Sequence, residues 1–353
     1  MRMLRRVAPA LALAIIAPLI AEFLLGDFNI RQIGFVAVFI PVYGTGAVLI
    51  RELTRRARRG WPTMLLLSLA YALLLEGFAN QTLFNPSYAG QRLLDYGLIP
   101  ALGTSLHFAV YILTLHVVWS LGSAIALAEG LAGTRWREPW LRLPGLIVAA
   151  VLTALGFVAT VSFTLRTFKF VASLGQFAAV AALALAAIVV AFAVFRGSPN
   201  DARTTDPGVT SVAEGSHARR LPAFWLVLVV SLVLSSAFQR WFAYAPGHGV
   251  AAGLSLACLL GLDVGAVILF AAWSRRQGWG PTQALAASLG AIVTYGWISL
   301  RRLVVAGGTS LGVPTTPVDV IGQAVLLLAM LVLGAMAWRA LGRSTRPEGA
   351  SSS

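Results

Sequence analysis

The stretch LLLEGFANQTLFNP, residues 73–86, sets a single carboxylate, Glu76, in a run of leucines and follows it with Asn80, Gln81 and Asn85. An ionisable side chain in such a segment costs about 3 kcal/mol in a bilayer unless it is paired or hydrated, so it marks a site by default. Asn80 stands four residues on and shares a helical face with Glu76. His107 lies about as far inside the next apolar run as Glu76 lies inside its own. An imidazole at that depth can share a proton or a hydrogen bond with the carboxylate, and the expected site is an outward-facing polar pocket at Glu76, Asn80 and His107.

His116 follows nine residues after His107. Nine residues turn a straight α-helix through about 900°, half a turn net, so the two histidines face opposite ways. His116 aligns instead with Ser120 and Ser123, a stripe of the kind that hydrogen-bonds neighbouring helices. Asp263, in LLGLDVGAV, is a further acid inside an apolar run, and its flanking glycines suggest close packing against a neighbour. The candidates for binding substrate or protons are therefore Glu76, Asn80, Gln81, Asn85, His107, His116 and Asp263. No residue is assigned as catalytic or as a metal ligand.

The elements that must position these groups are transmembrane helices. Of the 353 residues, 58% are hydrophobic and 11% charged, against about a quarter charged in soluble domains. Apolar windows of roughly 17–25 residues recur throughout, each long enough to span a bilayer. Strands of a β-barrel would alternate over about ten residues instead. Ten spans are predicted, near 7–25, 33–50, 61–79, 104–128, 144–164, 172–195, 222–238, 248–273, 281–300 and 317–338. The fold class is an all-α, polytopic helix bundle in the cell membrane.

A formal charge of +14 does not indicate nucleic acid, because the arginines sit in short clusters between apolar windows. With both termini cytoplasmic, 20 of the 27 Lys and Arg residues fall inside, as the positive-inside rule requires. Arg301 and Arg302 are the awkward pair left outside. The partner implied is the lipid bilayer, with a small-molecule substrate at the polar pocket; no cofactor or oligomeric state is assigned. Cys258 is the single cysteine, which excludes a disulfide within the chain.

The opening MRMLRR and the apolar run after it read as a retained signal anchor, since no small-x-small cleavage site follows cleanly. Residues 1–195 form a six-span half, 196–221 a flexible cytoplasmic linker, 222–340 a four-span half and 341–353 a disordered tail. GAVLIRELTRRARRGWPT (46–63) and GAVILFAAWSRRQGWGPT (265–282) suggest a parallel internal repeat of spans 1–4 and 7–10. Its offset sets Tyr295 opposite Glu76 and Ala271 opposite Glu52. Glu52 itself has Arg55 or Arg56 as a local partner.

Neither a phosphate loop nor HExxH is present. The Glu76-Gly77-Phe78 segment with His107 downstream is similar in outline to the motifs of CAAX-type intramembrane proteases. That family has two adjacent glutamates and then an arginine, where this chain has Leu75 and Asn80, and Gly103 falls where its second motif has phenylalanine. Membership is not assigned. Three readings follow: a transporter or permease for a small solute, an intramembrane hydrolase with Glu76 as general base or as metal ligand with His107, and a non-catalytic membrane subunit.

Overall fold

The computed structural model describes residues 2–195 and 221–343. The linker and the tail expected from the sequence fall almost wholly outside these residues. Among the described residues, ten helices are long and apolar enough to cross a membrane: α1 (Arg5–Leu24), α2 (Ile30–Arg56), α3 (Trp61–Ala79), α4 (Leu106–Arg135), α5 (Leu143–Phe168), α6 (Leu174–Ala193), α7 (Phe224–His248), α8 (Ala252–Ser274), α9 (Pro281–Ala306) and α10 (Pro317–Arg343). Each coincides with an expected span. Several outrun their apolar windows, most of all α2 and α7, because arginine carries a helix past the hydrocarbon while its head stays polar.

The helices divide by burial. In α1, α3 and α4 more than half of the apolar window is enclosed by protein, whereas α5, α6 and α8 keep most of theirs on the outside. Their outward residues, such as Leu155, Leu185 and Val267, form the lipid-facing belt. The inner group comprises α1, α2, α3, α4 and α9; α5 packs on α2, and α6 on α3. Contact is closest where side chains are smallest. A Cβ on Gly44 of α2 would stand 2.2 Å from the Ala14 carbonyl oxygen of α1, so only glycine permits that crossing.

The interior helices are not uniformly α. Five stretches are wound as π-helix: Leu19–Leu24 in α1, Ile40–Gly44 in α2, Leu75–Ala79 in α3, His116–Ser123 in α4 and Arg302–Ala306 in α9. Pro18 precedes the first and Pro41 lies within the second; neither residue has an N–H to give to an α-helical ladder. In α3 the Asn80 N–H bonds the Leu75 carbonyl at 2.8 Å, five residues back. Such wide turns are rare and recur at functional sites.

Residues 80–105 fold back against the bundle rather than looping away. Gln81, Thr82, Leu83, Asn85, Leu94, Thr104 and Ser105 are all buried, and Leu98–Ile99 pairs with Thr104–Ser105 in a small antiparallel hairpin. Bonds from Ala172 N to Gln81 Oε1, from Gln91 Nε2 to the Ser310 carbonyl and from the Tyr96 hydroxyl to the Val250 carbonyl tie this cover to three other connections. The backbone polar groups of a non-helical segment at this depth require such protein partners.

The arginine-rich face, where both described ends lie, is closed by a buried ionic network. Arg51, wholly enclosed, bonds Glu52 (2.7 Å) and Glu129 (3.1 Å) and stacks its guanidinium 3.5 Å over the Trp140 ring. Arg55 bonds Glu129 at 2.6 Å. Glu52 pairs with Arg51 and Arg56 and accepts the Trp140 and Leu141 N–H groups, so of its two expected partners only Arg56 is confirmed. Packing gives the internal repeat no support: α7 and α9 lie face to face along their length, while their counterparts α1 and α3 share no comparable contact.

Candidate functional site

Four of the five π-wound stretches converge on one buried polar cluster. Glu76 is 2% exposed and its carboxylate accepts three hydrogen bonds, from Asn80 Nδ2 (2.9 Å), from the Thr82 hydroxyl and from His116 Nε2 (2.8 Å). The first two donors lie just beyond the end of α3, where the chain turns back over its own last turn. The third comes from α4. His116 Nδ1 lies 3.2 Å from Ser120 Oγ, and its ring stacks on Tyr43 at 5.8 Å between centroids. Glu22, the buried acid in the last turn of α1, lies on the π stretch of α1 that packs against His116–Ser123. Each of the four π stretches thus brings one ionisable or polar group (Glu22, Tyr43, Glu76, His116) to the cluster.

This arrangement corrects the expected pairing. Glu76 meets His116, and His107 is not among its partners. His107 donates to or accepts from Ser255 Oγ of α8 at 3.0 Å, stacks on Phe242 of α7 and lies edge-on to Tyr96. It lines a recess of about 150 Å³ with Gly97, Ala252 and Leu256, apart from the carboxylate. The physical reason is an axial offset: α3 packs chiefly on the π-wound middle of α4 rather than on its first turns, so the histidine beside Glu76 is the later one. The expected outward-facing pocket is likewise not open, since residues 80–85 close over Glu76.

The other candidates separate. Gln81 ties the cover to Ala172, and Asn85 Oδ1 accepts from Ser87 N in a local turn. Asp263 accepts from Thr114 Oγ1 at 2.8 Å, but Gly261 and Gly265 meet nothing within 4 Å, so those glycines do not serve close packing. Among the described residues no three His, Cys, Asp or Glu side chains gather as they would around a metal ion.

On its other side the cluster continues toward α9. Asp27, in the α1–α2 turn, accepts from the Ser310 hydroxyl and faces Arg302 at 3.9 Å. Burial raises the Asp27 pKa above its ordinary value, partly offset by the Ser310 hydrogen bond and the Arg302 charge. The sequence reading passes over Glu22, Asp27, Tyr43 and Thr82. Glu22 carries the same signature as Glu76, an acid in the last turn of an apolar span, and the anchor reading of that span hides it.

A sequence model of an uncharacterized membrane protein family matches residues 11–343, nearly the whole described bundle. The chain belongs to that family. No curated protein and no solved structure matches it. Family membership therefore agrees with the ten apolar helices in making this an integral, multi-pass membrane protein, and the chemistry of the site rests on its own geometry.

Proposed function

We propose that the protein is a carrier of a small solute across the cell membrane, with Glu76 and His116 as its proton-binding pair. The observation that supports this reading is the buried pair itself: a carboxylate and an imidazole, both under 5% exposed and 2.8 Å apart, on π-wound turns of two interior helices. Such a pair is costly to bury and is retained where protons or ions pass. Protonation of Glu76 would release His116, and the two helices holding them are wound in a geometry that converts to α by small shifts. With the arginine-rich face cytoplasmic, the residue 80–105 cover lies on the outer face.

Solid-supported-membrane recordings on proteoliposomes test this. Amino acids, monocarboxylates and sugars are applied with and without an imposed proton gradient. At least one class gives gradient-dependent current, and Glu76→Gln abolishes it in protein that remains folded. Currents unchanged in Glu76→Gln contradict the reading.

A second reading, an intramembrane hydrolase, is favoured by one observation: Ser120, His116 and Glu76 form a hydroxyl–imidazole–carboxylate chain. That order resembles an activated nucleophile. Ser120 is wholly buried, so a substrate must first part α3 and α4. Labelling of Ser120 by a fluorophosphonate in detergent, lost in His116→Gln, would favour hydrolysis over carriage.

A further inference from the structure

Three buried donors beside the acidic cluster have no acceptor: Arg302 Nη1, the Tyr295 hydroxyl and Gln239 Nε2. Tyr295 is 1% exposed and Gln239 6%. Native interiors leave few such groups unpaired, and each costs about 1–3 kcal/mol. Tyr295 and Arg302 stand seven residues apart on α9, and Gln239 lies on α7, which packs along α9. The Tyr111 hydroxyl of α4 bonds Gln239 Oε1 at 3.0 Å, which aims the amide nitrogen away from it. Tyr111, Tyr295, Asp27 and Arg302 all lie within electrostatic range of one another. Tyr295 is fixed by stacking on Trp119, 4.9 Å between centroids and 4° from parallel.

The geometry points to an oxyanion site in which Arg302, Tyr295 and Gln239 together donate to the carboxylate of a small monocarboxylic acid. The charge balance selects that class. One guanidinium and two neutral donors match a monoanion with two acceptor oxygens, and the planar arginine fork suits a carboxylate. A dianionic phosphate brings more acceptors than these three donors fill and a second negative charge that one guanidinium does not balance. Asp27 does not itself satisfy Arg302: at 3.9 Å the pair is beyond hydrogen-bond length, and the carboxylate is held by Ser310. Arg302, placed by the charge pattern on the wrong face, thereby gains a reason to be there. That the bound acid is also carried rests on the proposed function; that it binds does not.

Calorimetric titration of the full chain in detergent, with sodium acetate and sodium phosphate at constant ionic strength, tests the site without any gradient. Acetate binds saturably and more tightly than phosphate. Arg302→Gln weakens acetate binding about 10- to 100-fold, the range for a hydrogen bond to a charged group. Tyr295→Phe keeps the stack on Trp119 and weakens binding about 2- to 10-fold, so a folding defect in the arginine variant does not decide the matter. No saturable acetate binding, tighter phosphate binding, or unchanged acetate affinity in Tyr295→Phe would overturn the site. Acetate binding that persists when Glu76→Gln leaves all currents unchanged would refute carriage and keep the site.

Discussion

Removing the imidazole from the Glu76–His116 pair should harm the protein more than replacing both partners at once. In His116→Leu the carboxylate keeps only Asn80 and Thr82 as donors and stays 2% exposed or less, a stranded buried charge. Breaking a buried pair on one side costs about 3–5 kcal/mol. In Glu76→Gln no charge is stranded and the amide oxygen still accepts, so the loss is about 1–2 kcal/mol, the size of a weakened hydrogen bond. The double variant lacks both the pair and the stranded carboxylate. It should lose about 2 kcal/mol, which makes it more stable than His116→Leu alone. The readout is the order of thermal unfolding midpoints in one detergent: wild type highest, His116→Leu lowest, the double variant between. Groups in contact show coupling of this kind, distant ones add. A double variant whose loss equals the two single losses added together would mean that the carboxylate and imidazole do not share a proton or a charge, and the site as described would fall.

Further expectations follow from the same contacts. Glu129→Gln leaves Arg51 with Glu52 alone and Arg55 without an acid partner, and should cost about 3–5 kcal/mol, whereas Arg92→Gln, an exposed pair with Asp95, should cost well under 1 kcal/mol; thermal midpoints of the two variants separate these cases. His107→Phe should lose about 1 kcal/mol with its Ser255 bond and leave any gradient-dependent current intact, since it does not touch Glu76. Asp27 holds its proton more tightly in the folded chain than its ordinary 3.8, because burial outweighs Ser310 and Arg302. Its contribution to stability is therefore complete below pH 3.8 and is lost as pH rises through the folded value, the reverse of a salt-bridged aspartate. With 27% of the side chain exposed the slope is shallow, and Asp27→Asn should flatten it in a series of unfolding midpoints taken from pH 4 upward.

Helix existence was legible because an apolar window of twenty residues has one outcome in a bilayer, and arginine clusters punctuate the windows. Glu76 was legible for the same reason, as an interruption no lipid-facing run would keep. Its partner was not. Neither the rotation of a helix nor its axial offset from a neighbour can be reckoned from a window's edges: the last turn of α3 meets α4 at His116, while His107, nine residues earlier, faces α7 and α8. The π-wound stretch at His116–Ser123 compounds the problem, because each wide turn advances fewer degrees per residue than the 3.6-residue count assumes. Thr82 was hidden differently. Its bond to Glu76 depends on the chain doubling back after α3, which follows from contacts with distant connections and not from the local sequence.

The two ends of the polar string are closed unequally, and a carrier reading turns that inequality into a direction. At the arginine-rich face, Arg51, Glu52 and Glu129 are each no more than 2% exposed, and two acids bridge three guanidiniums. Opening there strands several charges together. At the other face, Arg31 grips Asp319 with its own side chain 45% exposed, and the cover over Glu76 is tied by single hydrogen bonds to loop carbonyls. Each of those bonds is worth about 1 kcal/mol net and can be exchanged for water. Four interior helices also carry their π-wound turns around the acids, where a change of winding moves Glu22, Tyr43, Glu76 and His116 relative to one another without breaking the ionic network. A carrier built this way should open first toward the face of the 80–105 cover. A thiol-reactive probe should reach a cysteine placed at Thr82 in otherwise cysteine-free protein (Cys258→Ala) well before it reaches one placed at Glu129. Equal labelling rates at the two positions would remove the argument for an ordered opening.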